Sequence, residues 1–387
     1  MSNLNGNKTI ARLFIFAFDL NEASQIRRIK SFVALGHDVA TASFRRANMN
    51  SGFTPDWPNT DLGEVRNRQF AGRLLRLGAA FFRVLGGAPG LRQADAIIAR
   101  NFDLLALAWL ARLIRGRRGT PLIYECLDIH GLFTRPGIVG RTMRLLERFL
   151  LRRVQLVIVS SPGFVTEYFE KIQHHEGPFA IVENKLWFDG PALTRPRAPA
   201  PVMPDGRIRL GWVGSIRCAA SLKLLAEVAA RMSDRLTIEI SGNVHRHALP
   251  DFDAVLAANP NMTYHGPYAY PQGLERVYGG CDLVWAQDLW QRGANSDWLL
   301  PNRIYEASWF GCPSVAVAAT QTGRRVQEAG LGFVIEAPGA DELQRLLDGV
   351  RPEDIRARSQ AILRMDDADF RLSEAELAAP LERVLGG

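Results

Sequence analysis

Short apolar runs that alternate with helix-type segments recur along this chain and limit its fold more than any other feature. Such runs occupy Ile10–Phe18, 94–99, 121–125 and 154–159, and the alternation restarts at 207–215. Apolar runs of this length are typical of parallel strands that are buried on both faces, with helices as their connections. The sequence therefore predicts an α/β protein with two doubly wound, Rossmann-like domains.

A proline-rich stretch separates the two series of strands. Residues 191–206 contain five prolines, at positions 191, 196, 199, 201 and 204, and few residues that could be buried in a core. Such a composition favours an extended connection. We therefore expect an N-terminal domain at 1–190, a linker at 191–206 and a C-terminal domain at 207–387.

The composition is that of an ordinary globular protein. The 387 residues, 47% of them hydrophobic and 22% charged, provide enough core for two domains. No apolar stretch approaches the ~18–20 residues of a membrane span, and the N-terminus lacks the layout of a signal peptide. The four cysteines have no C-x-x-C spacing, so neither a zinc site nor a disulfide framework is indicated. These features favour a cytoplasmic protein.

The positive charge is concentrated in the first half. Residues 1–190 hold 26 Lys and Arg against 16 Asp and Glu, whereas the remainder holds 21 against 24. Within residues 66–85, arginines alternate with bulky apolar residues at roughly helical spacing, which suits a helix on the anionic inner face of the cytoplasmic membrane. The alternative is a solvated arginine face on a helix whose other side joins the core. Nucleic acid is disfavoured as a partner, because no recognisable nucleic-acid module accompanies the charge.

The segment 299–319 combines charged residues with a helix–strand unit. Pro301 and Asn302 predict a helix start with Asn302 as its cap, and Gly311 predicts the helix end. Arg303 and Glu306 lie one turn apart, so both side chains flank the helix N-terminus. Such a place suits a diphosphate and a ribose. The alternative is a surface Arg–Glu pair on a plain helix–strand unit.

A glycine turn after the strand 207–215 is a second candidate for phosphate binding. Gly211 and Gly214 would let backbone N–H groups approach a phosphate, and Ser215 and Arg217 could add donors. The G-x-G-x-x-G pattern is absent, so a dinucleotide site is not supported. A simple tight turn remains the alternative.

The strand 121–125 leads into Cys126–Phe133, which contains further polar side chains. Since ligands of open α/β sheets bind beyond the carboxyl ends of the strands, we expect Glu125, Asp128 and His130 to face a ligand. The alternative is a loop that is held by bonds between side chains and backbone.

The run Pro301–Asn302–Arg303–Ile304–Tyr305–Glu306–Ala307, followed by Gly311–Cys312–Pro313–Ser314–Val315–Ala316, resembles the nucleotide-sugar motif of GT-B glycosyltransferases. The resemblance is to the family-4-like enzymes of bacterial exopolysaccharide synthesis. It implies two Rossmann-like domains with the active cleft between them, and a last helix that packs on the first domain. It also implies transfer of a sugar from a UDP- or GDP-sugar to a saccharide acceptor, lipid-linked in surface polysaccharide assembly.

The same resemblance implies roles for individual residues. Its donor-binding residues map onto Gly214, Ser215, Arg217, Asn302, Arg303, Tyr305 and Glu306, with Glu306 on the ribose. Asp128 would be the base that takes the acceptor proton, and His130 the second candidate. Arginines and helix dipoles would neutralise the leaving diphosphate, so neither a metal nor a cofactor is expected.

The sequence departs from the family pattern at one place. The acidic residue usual eight positions before the ribose-binding glutamate is replaced by Trp298, and Asp297 is the available substitute. Two other functions remain open for such a fold. A nucleotide-sugar epimerase would turn over donor without acceptor, and a non-catalytic scaffold would bind donor weakly.

Overall fold

A computed structural model of the chain describes residues 10–45, 53–64, 70–188, 190, 193–201, 203 and 205–386. The chain divides into two compact units. The first comprises residues 1–160, 165–182 and 373–387, and the second comprises 161–164 and 183–372. Residues 183–206, which include the proline-rich stretch, therefore group with the second unit.

The described part of the first unit is built on a seven-stranded parallel sheet in the order β3-β2-β1-β4-β5-β6-β7. Its central strands are mostly apolar and are buried along their whole length, as expected for a sheet covered on both faces. The strands are β1 (Arg12–Ala17), β2 (Asp38–Arg45), β3 (Asn59–Glu64), β4 (Ala96–Arg100), β5 (Leu122–Cys126), β6 (Leu156–Val159) and β7 (Phe179–Ile181).

Helices connect these parallel strands. They are α1 (Ala23–Ala34), α2 (Phe70–Gly87), α3 (Phe102–Ile114), α4 (Gly131–Thr134) and α5 (Ile138–Leu151), with a short 3-10 turn at Leu91–Gln93 and a π-helix at Phe164–Glu170. The side chains of residues 70–77 lie outside the described residues, so most of the arginines in the predicted membrane helix do too. The last helix of the chain, α14 (Glu374–Leu385), belongs to the first unit.

The second unit repeats the plan with six parallel strands in the order β10-β9-β8-β11-β12-β13. They are β8 (Ile208–Ile216), β9 (Leu236–Val244), β10 (Met262–Tyr264), β11 (Leu283–Trp285), β12 (Ser314–Val317) and β13 (Gly332–Ile335). The helices are α6 (Ala219–Arg231), α7 (Phe252–Ala258), α8 (Leu274–Gly279), α9 (Asn295–Trp298), α10 (Asn302–Trp309), α11 (Gln321–Glu328), α12 (Ala340–Gly349) and α13 (Pro352–Leu363), with a 3-10 turn at Asp367–Asp369.

The prediction of an α/β protein with two doubly wound sheets is confirmed. In both sheets the strand order reverses beside the first strand, between β1 and β4 and between β8 and β11. Ligands of such sheets bind at this switch point, beyond the carboxyl ends of the strands. Strand β3 was not predicted, because its sequence Asn-Thr-Asp-Leu-Gly-Glu is polar and only its leucine is buried.

Candidate active site

The switch point of the second sheet brings together two segments that are about ninety residues apart in the chain. Gly214, near the end of β8, has φ +105°, and an added Cβ there would lie 4.0 Å from Nη2 of Arg303. The Arg303 guanidinium is anchored by Nη1, which donates to the carbonyl oxygen of Trp285 at the end of β11, 3.3 Å away. Helix α10 and the last residues of β8 therefore meet beside the carboxyl end of β11. The prediction of a tight turn at Gly211 and Gly214 is wrong, because both glycines lie within β8 and pair with β9.

The backbone of β8 at Gly214 is closely packed against strand β9. A Cβ added to Gly242 would lie 1.9 Å from the carbonyl oxygen of Gly214, so no side chain fits at position 242. Gly242 itself has φ +134°, a conformation that side-chain-bearing residues rarely adopt. The two glycines are paired with each other, so this end of β8 and β9 carries no side chains at these two positions.

Helix α10 carries four of the seven predicted donor-binding residues. It begins at Asn302, but Pro301 occupies the cap position and no side chain caps the helix, so the prediction of Asn302 as cap is wrong. Asn302 is the first helical residue instead. Gly311 follows the helix with φ +70°, as its predicted role as helix end requires, and an added Cβ would meet Cγ of Leu363 at 2.6 Å.

Glu306 lies inside the second unit and is only 6% exposed. Its Oε2 accepts a hydrogen bond from the hydroxyl of Tyr278, 3.0 Å away. Burial and the negative charge of Glu306 raise the pKa of Tyr278 well above its ordinary value, so the phenol keeps its proton. A buried carboxylate needs such hydrogen-bond donors. Tyr278 therefore fixes the orientation of the Glu306 carboxylate, which lies one helical turn from Arg303.

Tyr305 points its hydroxyl at a different acidic residue. The hydroxyl donates to Oε2 of Glu183 at 2.9 Å, and the same carboxylate is paired with Arg325 of α11. Tyr305 is buried, so these contacts fix α10 against α11. The structure therefore gives Tyr305 an anchoring role within the unit, apart from its predicted contact with the donor.

Ser215 lies near the end of β8 and Arg217 directly after it, and both contact side chains beyond β9 and β11. Ser215 Oγ lies 2.9 Å from Nε2 of His245, and Arg217 Nη2 lies 3.7 Å from Oδ2 of Asp288. Burial and the nearby charges of Arg217 and His247 lower the pKa of His245, so its ring is neutral at pH 7. The Arg217 guanidinium also lies over the ring of Trp290, 5.8 Å from its centroid.

Asp297, the substitute for the missing family acid, lies on the short helix α9. Its Oδ2 accepts from the backbone N–H of Gly293 at 2.8 Å. Its Oδ1 is buried and accepts no hydrogen bond from the described residues, and Nε of Arg292 is 3.9 Å away. One carboxylate oxygen of Asp297 therefore has unused hydrogen-bonding capacity.

The predicted catalytic residues lie in the first unit, beyond the end of β5. Both Asp128 and His130 are exposed. His130 caps α4, since its Nδ1 accepts from the backbone N–H of Leu132 at 3.2 Å. This bond uses the lone pair of Nδ1, so a neutral His130 carries its proton on Nε2. Of the two predicted bases, Asp128 is therefore the one that presents an exposed basic group, its carboxylate.

The expectation that Glu125 faces a ligand is wrong. Its two carboxylate oxygens accept from Nε of Arg28 and Nε of Arg100, each at 2.9 Å, and all three side chains are buried. Burial alone would raise the pKa of Glu125, but Arg100 and Arg28 outweigh it and the pKa is lowered. Glu125 is a structural anion.

Within the described residues, no group of three or more His, Cys, Asp or Glu side chains is arranged to hold a metal ion. The four cysteines are free and buried, as the sequence predicts. No helix of the described part of the chain is long and apolar enough to cross a membrane.

Comparison with known proteins assigns the family. Residues 27–184 match the model of the glycosyl transferase 4-like domain. The succinoglycan biosynthesis protein ExoL of Rhizobium meliloti (strain 1021) is 33% identical over 376 residues, which are 96% of this chain and 93% of ExoL. The chain belongs to the family-4-like glycosyltransferases.

Solved structures show the same fold at low sequence identity. Anabaena HepE, solved in complex with UDP and glucose, aligns over 97% of this chain and 99% of its own with a TM-score of 0.65 and 14% identity. WaaG, a glycosyltransferase involved in lipopolysaccharide biosynthesis, aligns over 97% of this chain and 100% of its own with a TM-score of 0.64 and 14% identity. The glycosyltransferase therefore has the GT-B fold.

Sequence reasoning missed the residues that orient the predicted ones in this glycosyltransferase. Tyr278, Glu183 and Asp288 contact Glu306, Tyr305 and Arg217 respectively, and His245 contacts Ser215. Each partner is 28 to 122 residues from its contact. No local sequence pattern predicts such pairs, because only the fold brings the two residues together.

Proposed function

We propose that this glycosyltransferase transfers a sugar from a UDP- or GDP-sugar to a lipid-linked saccharide acceptor in surface polysaccharide synthesis. The convergence of Gly214 and Arg303 at the switch point of the second sheet carries this proposal. A guanidinium beside a glycine at a strand end and a helix N-terminus suits a diphosphate. The role of ExoL in succinoglycan biosynthesis, which its name states, supports the polysaccharide context.

In the proposed donor complex, Arg303 and the N-terminus of α10 bind the diphosphate. Within the described residues Arg303 forms no ion pair, and its only hydrogen bond goes to a backbone carbonyl, so its charge is available to an anion. Ser215 and Arg217 approach from the end of β8 and add donors. These positive groups stabilise the leaving diphosphate without a bound metal, because they act on the oxygens where negative charge develops.

Glu306 accepts hydrogen bonds from the ribose hydroxyls, and Tyr278 holds the carboxylate in place for this contact. Asp297 replaces the acidic residue that the family pattern has at the position of Trp298. Its Oδ1 can accept a hydrogen bond from a hydroxyl of the donor sugar. Asn302 contributes its backbone N–H at the first position of α10. The uridine nucleotide is the first to test, since HepE was solved with UDP and glucose.

Asp128 is proposed as the base that takes the proton of the acceptor hydroxyl. It is an exposed carboxylate beyond the carboxyl end of β5, where ligands of such sheets bind. His130 is the weaker candidate, because its Nδ1 is occupied as a helix cap. A lipid-linked acceptor would place the reaction at the inner face of the cytoplasmic membrane.

The test combines binding and turnover with matched variants. Calorimetry with UDP- and GDP-sugars, each with and without a chelator, should show binding that the chelator leaves unchanged. Glu306→Ala should abolish binding, whereas Asp128→Ala should bind donor normally but lose transfer. Asp56→Ala, which removes an exposed carboxylate of the same unit, is the control and should retain both properties.

Three results would contradict the proposal in different ways. Donor turnover without acceptor would favour an epimerase, and no binding of any nucleotide sugar would favour a scaffold. Full transfer by Asp128→Ala would remove this residue from the mechanism while leaving the donor site intact.

A further inference from the structure

Helix α5 of the first unit exposes several apolar residues, although it buries a carboxylate together with Leu150 and Leu151. Its only acidic residue, Glu147, is buried, whereas Ile138, Leu145 and Phe149 point to solvent. Ile138 is 83% exposed and Leu145 is 55% exposed. At 100° per residue these three positions lie on one stripe, since they are seven, four and eleven residues apart. A soluble surface normally places its carboxylate outside and its isoleucine inside.

The apolar stripe continues onto helix α3. Trp109 of α3 packs edge-on against Phe149 of α5, with ring centroids 5.2 Å apart, so the two helices are neighbours. The outward side of α3 presents Leu110 and Ile114, both exposed. We call this surface the α3–α5 face, and its exposed apolar residues are Leu110, Ile114, Ile138, Val139, Leu145, Leu146 and Phe149. A contiguous exposed apolar surface of this kind marks an interaction site.

Positive charge predominates along helix α5 and the residues that flank it. Residues 129–153 contain six arginines and a single acid, the buried Glu147. Arg141 and Arg152 lie along one edge of the stripe, are exposed, and form no ion pair with any described residue. Arg153 lies over the ring of Phe149, 3.5 Å from its centroid, which keeps a cation at the apolar surface.

We propose that the α3–α5 face docks on an anionic phospholipid surface, with the apolar side chains among the acyl chains and the arginines at the headgroups. An amphipathic helix with apolar residues flanked by cations is the arrangement that binds such a surface. A second copy of this chain is a poorer occupant, because a symmetric contact would oppose arginines with arginines. The assignment differs from the sequence-based one, which placed the membrane contact on residues 66–85.

The inference shares with the proposed function the expectation of a membrane-bound acceptor, but its test requires neither donor nor acceptor. The full chain is sedimented with vesicles of phosphatidylcholine alone or mixed with phosphatidylglycerol, at low and high salt. Binding is expected to the mixed vesicles and should weaken at high salt, because screening reduces the attraction of arginines to headgroups.

Two double variants probe the two parts of the face. Ile138→Gln with Leu145→Gln should weaken binding about tenfold or more, since two inserted side chains are lost. Arg141→Gln with Arg152→Gln should weaken it by roughly tenfold on mixed vesicles only. The controls are Val33→Gln with Ile181→Gln, two residues of the same unit that are 43% and 48% exposed, and Arg276→Gln with Arg356→Gln in the second unit. Both controls should bind like the wild type.

Failure of the wild type to sediment with mixed vesicles would overturn the proposal, as would equal binding by the Ile138 and Leu145 variant. Sedimentation velocity without vesicles separates the competing occupant. A wild-type dimer that this variant dissociates, with no vesicle binding by either, would assign the face to a second copy. Calorimetry with nucleotide sugars on the same proteins should be unaffected, so failure here leaves the donor site untouched.

Discussion

The two sheets of this glycosyltransferase share their strand order but use their switch points differently. In the first unit, Arg28 and Arg100 enclose Glu125 beside the ends of β4 and β5, and Glu22 lies 3.5 Å from Arg100. In the described part of the second unit, Arg303 donates only to a backbone carbonyl, beside Gly214 near the end of β8. One switch point is therefore neutralised by its own side chains, whereas the other retains a cation for a ligand.

The comparison shows that equal topology does not give equal function. A buried carboxylate between two guanidinium groups is satisfied, and removing one member leaves an uncompensated buried charge. An arginine held only by a carbonyl keeps most of its donors for an anion. Stability should therefore depend on the first switch point, and donor binding on the second.

The largest expected effect is on stability, from Glu125→Gln. The variant leaves Arg28 and Arg100 buried without their shared anion, which should lower the free energy of unfolding by about 3–5 kcal/mol. Urea unfolding measures it, with Asp61→Asn as control because the Arg45–Asp61 pair is exposed and contributes about 1 kcal/mol or less. Equal losses in the two variants would contradict the contrast between the switch points.

Arg303→Gln should act on catalysis and leave the fold intact. Loss of a charged donor from the developing diphosphate should lower kcat/KM by roughly 10²–10³-fold. Unfolding should change little, since the residue forms no ion pair with the described residues. Arg324→Gln, an exposed arginine on α11, is the matched control and should keep full activity. Activity within a few-fold of wild type would show that Arg303 does not stabilise the leaving diphosphate.

Glu306→Gln sharpens the comparison by removing only a charge. The amide keeps the oxygen that accepts from Tyr278, so the unit should fold, whereas the ribose loses a charged acceptor. Donor affinity should fall by about a hundredfold or somewhat less, the value of a charge-assisted hydrogen bond. Calorimetry measures this loss, and Glu328→Gln, an exposed residue of α11, is expected to bind normally.

Unchanged affinity in Glu306→Gln would show that the carboxylate is only a partner of Tyr278. A variant that unfolds would show that the charge is structural, as it is at Glu125.

The last effect depends on pH and concerns Glu147, a buried carboxylate of the first unit that is bound by hydroxyl and amide donors. Tyr124, Tyr168 and Gln173 donate to it, yet burial raises its pKa from 4.5 to about 7. The folded state therefore holds the proton more tightly, so this group's contribution to stability is complete below pH 4.5 and is lost as the pH rises through about 7.

Glu147→Gln should remove that pH dependence. Relative to wild type, the variant should gain about 3 kcal/mol between acidic and mildly alkaline pH. Urea unfolding at several pH values checks this. An equal pH dependence in both proteins would place the ionisation elsewhere.

The fold could be predicted from the sequence because its cause is local. Apolar strands such as Leu156–Val159 have few alternatives to burial in a parallel sheet, and Gly311 followed by Pro313 ends a helix in any context. The polar edge strand β3 escaped prediction, because its pairing with β2 and not its composition makes it a strand.

The candidate site was only partly predictable. Arg303 and Glu306 are neighbours on one helix, so their spacing could be found in the sequence. The partners Tyr278 and His245 could not be found, because the sheet brings them close. For Glu125 the sequence suggested a contact that the fold prevents. Its position near the end of a strand suggested a ligand site, but two arginines that are distant in the sequence enclose it.

The orientation of helix α5 also depended on the fold. Its sequence contains eight apolar residues and three arginines, so more than one side could have joined the core. The structure buries the side with Glu147, which leaves the apolar stripe in solvent.

The most direct test of the central claim is a crystal structure of the chain with UDP, or with GDP if calorimetry selects it. The account predicts the diphosphate within hydrogen-bonding distance of Arg303 and the backbone at Gly214, with the ribose hydroxyls on Glu306. A nucleotide bound elsewhere, with Arg303 and Glu306 keeping only their present contacts, would contradict it.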